Sequence, residues 1–166
     1  ELLCSLGQNV MITNFQQYFK LVEYFSEFTK ERMALAMGVN NLIQIFDEKY
    51  YRNLSGGILE AFGKLFYRDL KVYMYPYKEQ ETGTYVNTDN LKVHPRMKEL
   101  YKFFKNNGRL INIDDFDPET LDIFSRTVLK MIVNGDKGWE EMLPEGIPEI
   151  IKQKRLFGYS KTRVKK

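Results

Sequence analysis

The stretch RLINIDDFDPE (residues 109–119) runs from an apolar segment straight into the start of a helix. Leu110, Ile111 and Ile113 read as a short buried strand, and Asp114-Asp115-Phe116 leads out of it. Asp117 then stands as an N-cap, with Pro118 at the first helical position and Glu119 in the first turn. The cap carboxylate accepts from otherwise free backbone N–H groups, and proline has none to lose there. A second stretch, GQNVMITNF (residues 7–15), has the same form: residues 9–13 read as a buried strand and Asn14 as the cap of a helix. Two such transitions predict an α/β or α+β fold, helix-rich, with a small three- to four-stranded sheet.

Outward from these stretches, residues 15 to about 37 carry Phe15, Phe19, Val22, Phe25, Phe28, Met33 and Ala36 near helical spacing, and Gly38 stops them. Further helices are expected over residues 41–51, 58–67, 95–105, 118–133 and 148–155, with a short segment around Trp139. Residues 70–77 alternate, Leu70, Val72 and Met74 against Lys71, Tyr73, Tyr75 and Tyr77, which reads as a strand ended by Pro76. Thr84-Tyr85-Val86 is expected to pair back as a hairpin arm after the turn at Gly83.

With 166 residues, 43% hydrophobic and 14% aromatic, the chain is long and apolar enough for a sizeable core, and it is not a disordered or collagen-like chain. One histidine, His94, and one cysteine, Cys4, argue against a zinc site, which usually needs three or four such ligands. Cys4 has no partner for an internal disulfide, so a cytoplasmic protein is expected. The uncharged residues 2–19 are too polar for a membrane helix, and no membrane association is expected. A single domain over residues 1–155 and a basic tail over 156–166 follow from the patterning. The opening, a helix end, Gly7 and a strand, reads as a fold entered partway. It predicts the C-terminal part of a larger protein with an N-terminal domain as partner; a trimmed or processed single domain is the alternative.

The chain carries Lys+Arg 25 against Asp+Glu 22. Lys152, Lys154, Arg155, Lys161, Arg163, Lys165 and Lys166 fall in the last fifteen residues, which hold no acidic residue, so the body is acidic. Such a tail suits nucleic-acid phosphates or an acidic partner, with Phe157 and Tyr159 free to stack on bases. It is equally a solvated end whose LFGY segment pins it to the body.

If the strands at residues 9–13 and 110–113 were parallel members of one sheet, Thr13, Asn14, Asp114 and Asp115 would line one crevice at their carboxyl ends. That crevice suits a phosphorylated small molecule, and Asp114 and Asp115 are candidates for a magnesium ion, the one cofactor this pattern suggests. Ser55, Gly56 and Gly57, the only glycine pair before a helix, would add an anion loop. The plainer readings are turn residues and ordinary caps. His94, before Pro95 and Arg96, is the one imidazole available for acid–base chemistry, which needs a partner carboxylate that the sequence does not identify.

The stretches FDEKYYRNLSGGILEAFGKLF (residues 46–66) and IIKQKRLFGY (residues 150–159), about a fifth of the chain, resemble parts of longer bacterial proteins, some of which carry a nicotinate-nucleotide adenylyltransferase label. Members of that enzyme class have a histidine-containing nucleotide-binding signature near a first strand. His94, between Val93 and Pro95, does not form it. The resemblance therefore implies that any such activity lies in an N-terminal part outside these residues, and it transfers no site residue here.

Two functions are expected to compete. One is the ligand-binding part of an enzyme acting on a nucleotide or other phosphorylated metabolite. The other is a non-catalytic interaction domain whose tail engages nucleic acid or an acidic partner. A purely structural domain fits the same sequence.

Overall fold

The computed structural model describes residues 2–79 and 81–160. Its elements follow in chain order as α1 (Leu2–Ser5), α2 (Tyr18–Phe28), β1 (Ala34–Gly38), α3 (Val39–Ile45), α4 (Gly57–Leu65), β2 (Lys71–Tyr75) and β3 (Tyr77–Lys78). They continue as β4 (Tyr85–Val86), α5 (Lys98–Asn106), β5 (Leu110–Asn112), α6 (Ser125–Asn134) and α7 (Ile147–Lys154). The fold is helix-rich α/β, with a three-stranded parallel sheet in the order β1-β2-β5 and a two-stranded antiparallel ribbon of β3 and β4. The chain gathers into two compact units, residues 13–116 and the paired end segments 1–12 and 117–166. The single-domain reading over residues 1–155 draws no boundary there. Among the described residues no helix is long and apolar enough to cross a membrane.

In the 13–116 unit the alternation along residues 70–77 is realised. Leu70, Val72 and Met74 are wholly buried, while Lys71, Tyr73 and Tyr75 are half-buried. The register sets Leu35 and Met37 of β1 beside Val72 and Met74, and Leu110 and Asn112 of β5 on their other side. One sheet face is thus apolar except at Asn112, because parallel partners point the same way. Phe62 of α4 meets Phe46 and Phe104 edge to face at 5.0 and 5.1 Å, and α2 packs on α4 through Phe19 and Val22. The expected hairpin arm is present, with Tyr77 opposite Val86 and Lys78 opposite Tyr85.

Two expectations are corrected. Residues 9–13 form no strand: Val10 and Met11 are exposed and Ile12 is 95% exposed. β-branched side chains favour a strand only where neighbours cover them. The helix expected over residues 15–37 is α2 alone. Asn14 does not cap it, since the cap position falls at Gln17 and the Thr13 hydroxyl accepts instead from the Phe15 N–H at 3.1 Å. The chain leaves the helix at Thr29, whose backbone is extended, and Ala34-Leu35-Ala36-Met37-Gly38 becomes β1.

In the other unit, Val128 and Ile132 of α6 and Ile147 and Ile151 of α7 close around Trp139, which is 2% exposed. The expected cap at Asp117 holds: its carboxylate accepts from the Glu119 N–H at 2.9 Å. It starts a short 3-10 turn, Pro118–Asp122, rather than one long helix. The chain is extended at Ile123 and Phe124 before α6, which Gly135 ends in the left-handed conformation. Tyr159 packs against Trp139 at 6.0 Å, so the LFGY segment is pinned to its own unit. Lys161, Arg163, Lys165 and Lys166 of the expected basic tail lie outside the described residues.

Candidate functional site

Asp114 and Asp115 stand exposed just past the carboxyl end of β5. The strand expected to bring Thr13 and Asn14 beside them does not exist; the parallel neighbours of β5 in the sheet are β2 and, beyond it, β1, which ends at Gly38. The order β1-β2-β5 also follows the chain without reversal. The crevice that open α/β sheets form where strand order switches is therefore missing among the described strands. No group of three or more His, Cys, Asp or Glu residues is placed to hold a metal ion among the described residues.

The glycine loop is occupied from within. The Gly56 N–H donates to the Glu60 carboxylate at 2.9 Å, and the Gly57 N–H donates to the Leu54 carbonyl at 3.0 Å. Lys64 lies 3.2 Å from Glu60 and 3.3 Å from Glu23. The Gly56 N–H, and after it Lys64, hold the Glu60 carboxyl below the usual glutamate range. The chain's own carboxylate thus fills the seat that an external phosphate would take at this helix start. A Cβ at Gly56 would come within 2.8 Å of the Glu60 Cβ. Gly56→Ala is accordingly expected to cost about 1–3 kcal/mol through overpacking, read as a lower thermal midpoint with faster amide exchange in the first turn of α4. An unchanged midpoint would contradict it.

A different concavity gathers charged groups. A cleft of about 330 Å³ opens between the chain after α3 and the chain leading into α5. On one side Asp47 caps the 3-10 turn Glu48–Tyr51, accepting from the Lys49 N–H at 3.1 Å, and its other oxygen meets Lys49 Nζ at 2.6 Å. Lys49 is the main cause that lowers the Asp47 carboxyl below its usual range, with a smaller pull from Arg52. Glu48 and Arg52 complete this rim. On the other side His94 caps the 3-10 turn Pro95–Met97, its Nδ1 accepting a long 3.4 Å hydrogen bond from the Arg96 N–H. An imidazole that accepts at Nδ1 can carry a proton only on Nε2, and His94 lines the cleft.

Asp47 and Lys49 neutralise each other. The guanidinium groups of Arg52 and Arg96 make no hydrogen bond or ion pair among the described residues. Beneath the rim the lining is apolar: Ile43 and Val93 on the walls, Phe46 and Met97 buried in the floor. Phe46 is fixed by edge-to-face contacts with Phe62 and Tyr101, so the floor is continuous with the main core. The arrangement offers planar, permanently charged donors, and the sole imidazole lines the same cleft.

The sequence offers His94 as the one imidazole without marking Asp47, Glu48, Lys49 and Arg52 as its neighbours in the cleft. The segment DEKYYR (residues 47–52) reads as the polar side of a helix end, and only the fold sets it against HPR (residues 94–96). A dense mixture of charges around a turn was the available signal. Comparisons with models of protein families, with curated proteins and with solved structures find no match, and the chemistry of the cleft rests on its own residues.

Proposed function

We propose that the 13–116 unit is the ligand-binding part of an enzyme acting on a phosphorylated metabolite, with the phosphate held in the cleft between Arg52 and Arg96. The observation that carries this reading is that Arg52 and Arg96, whose guanidinium groups make no hydrogen bond or ion pair among the described residues, line one 330 Å³ cavity together with the chain's only histidine. Arginine forks match phosphate oxygens in pairs, and His94 Nε2–H supplies a further donor. In this reading His94 is the group able to exchange a proton with the bound ester. Asp114 and Asp115 take no part.

Isothermal titration of the full chain with phosphorylated metabolites and their dephosphorylated counterparts tests it. Phosphorylated forms are expected to bind and the counterparts to bind at least about tenfold more weakly, the scale of one or two charge-assisted hydrogen bonds. Arg52→Ala and Arg96→Ala should each weaken binding by about tenfold or more with little change in thermal midpoint, since both side chains are exposed. Removal of residues 161–166 and Asp115→Ala should leave affinity unchanged. Binding that survives Arg96→Ala but disappears with the tail, and that falls steeply with salt, would instead support an interaction domain engaging nucleic acid.

A further inference from the structure

The same cleft is specific about what it leaves out. Apart from its charged rim and His94, its lining consists of Ile43, Phe46, Val93 and Met97, and among the described residues no serine, threonine, asparagine, glutamine or tyrosine lines it. Of the two carboxylates on the rim, Asp47 is held by Lys49 at 2.6 Å and by the Lys49 N–H, while Glu48 is exposed and its carboxylate makes no hydrogen bond or ion pair among the described residues. Hydroxyl groups of a sugar laid on these four side chains would find no hydrogen-bond partner among them, whereas a hydrocarbon body gains from covering them. The cavity volume also lies near the lower limit for small-molecule sites, which suits a compact body directly joined to its phosphate.

We propose that the cleft selects a phosphate monoester with a compact hydrocarbon body free of hydroxyl groups, rather than a sugar phosphate or a nucleotide. This inference rests on the phosphate-binding reading of the cleft and narrows it. The phosphate meets Arg52, Arg96 and His94, while the body lies against Ile43 and Val93 above the Phe46 and Met97 floor. The flexible thioether of Met97 adapts to either a ring or a branched chain.

Titration calorimetry of the full chain with inorganic phosphate, phenyl phosphate, isoamyl phosphate, ribose 5-phosphate and adenosine monophosphate tests the proposal. Phenyl and isoamyl phosphate are expected to bind about tenfold more tightly than inorganic phosphate. Ribose 5-phosphate and adenosine monophosphate should bind no more tightly than inorganic phosphate. Val93→Asn is expected to remove the margin of the hydrocarbon esters while leaving the affinity for inorganic phosphate in place. Ile43→Gln, at a position already 40% exposed, repeats the test should Val93→Asn fail to fold. Equal affinities for all five ligands, or tighter binding of adenosine monophosphate than of phenyl phosphate, would overturn the selectivity and leave the phosphate site standing. Absence of binding by every phosphate would remove both.

Discussion

Phe62→Ala is expected to destabilise the 13–116 unit by about 3–5 kcal/mol, the range for truncating a buried aromatic side chain. Phe62 is 2% exposed and its ring meets four others: Phe46 at 5.0 Å, Phe104 at 5.1 Å, Phe66 at 5.6 Å and Tyr51 at 6.4 Å, all edge to face. Each such pair contributes about 0.5–1.5 kcal/mol beyond burial, so several small terms vanish together. Collapse of the surroundings is restricted, because Tyr51 is tied by its hydroxyl to the Ile45 carbonyl at 2.9 Å and Phe66 stacks on Phe104 at 4.2 Å. Burial of that Tyr51 phenol also pushes its pKa up to about 12, so the tie persists through the neutral range. Urea unfolding at neutral pH measures the loss. If the cleft holds a phosphate as proposed, its affinity should fall as well, since Phe46 lines the cleft and loses one of its two edge-to-face supports. A loss below about 1 kcal/mol would mean that the open groove beside Gly63, lined by Leu59 and Phe103, lets the neighbours close in and that the four ring contacts of Phe62 carry little stability.

That cluster marks what the sequence makes legible. Leu70, Val72 and Met74 alternate with polar neighbours, and their burial follows from the period alone. Asp117 before Pro118 announces a cap, and the cap forms, because side-chain capping is decided within three residues. β1 is illegible for the opposite reason. Ala34, Leu35, Ala36 and Met37 are good helix formers, and they lie extended only because β2, more than thirty residues later, offers a ladder beside them. Val10 and Ile12 carry the stronger strand propensity and lack a ladder partner. Once these two segments exchange roles, the expected crevice loses one wall, and Thr13 and Asn14 lose their reason to face Asp114 and Asp115. The anion loop fails more locally: Glu60 lies four residues after Gly56, so an intramolecular cap was readable in the spacing. The cleft depends on residues 43–52 meeting residues 93–97, a separation that no local pattern encodes.

Asn112 shows how a single polar residue on an apolar sheet face is accommodated, and its removal should have the second largest effect. The register sets it beside Met74, which is wholly buried. Its side-chain oxygen accepts from the Thr88 N–H at 2.9 Å and from the Thr88 hydroxyl at 2.7 Å, and Thr88 is 3% exposed. Its amide donates to Asp89 at 2.8 Å, Asp89 meets Lys105 at 2.7 Å, and the Tyr101 hydroxyl donates to the Thr88 carbonyl at 2.8 Å. Asn112→Ala strands two buried donors at once, each worth about 1–3 kcal/mol when unsatisfied, so a loss of about 2–4 kcal/mol is expected. Thr88→Val in that background removes one of the two stranded donors and should restore part of it. The pH dependence separates this network from simple loss of packing. Lys105 first, and Asn112 second, hold the Asp89 carboxyl below its usual range. A carboxyl depressed in the folded state contributes stability above its unfolded pKa, and that contribution is lost as the pH falls through the folded value. Asn112→Asp keeps the acceptor for Thr88 but sets a second carboxylate against Asp89, so its stability should instead rise as mild acid protonates one of the two. Urea titrations of wild type, Asn112→Ala and Asn112→Asp across the acidic range measure these slopes. A parallel pH response in wild type and Asn112→Asp would mean that the Asp89 contact carries no electrostatic weight, leaving the Thr88 hydrogen bonds alone to hold this end of β5 to the loop before α5.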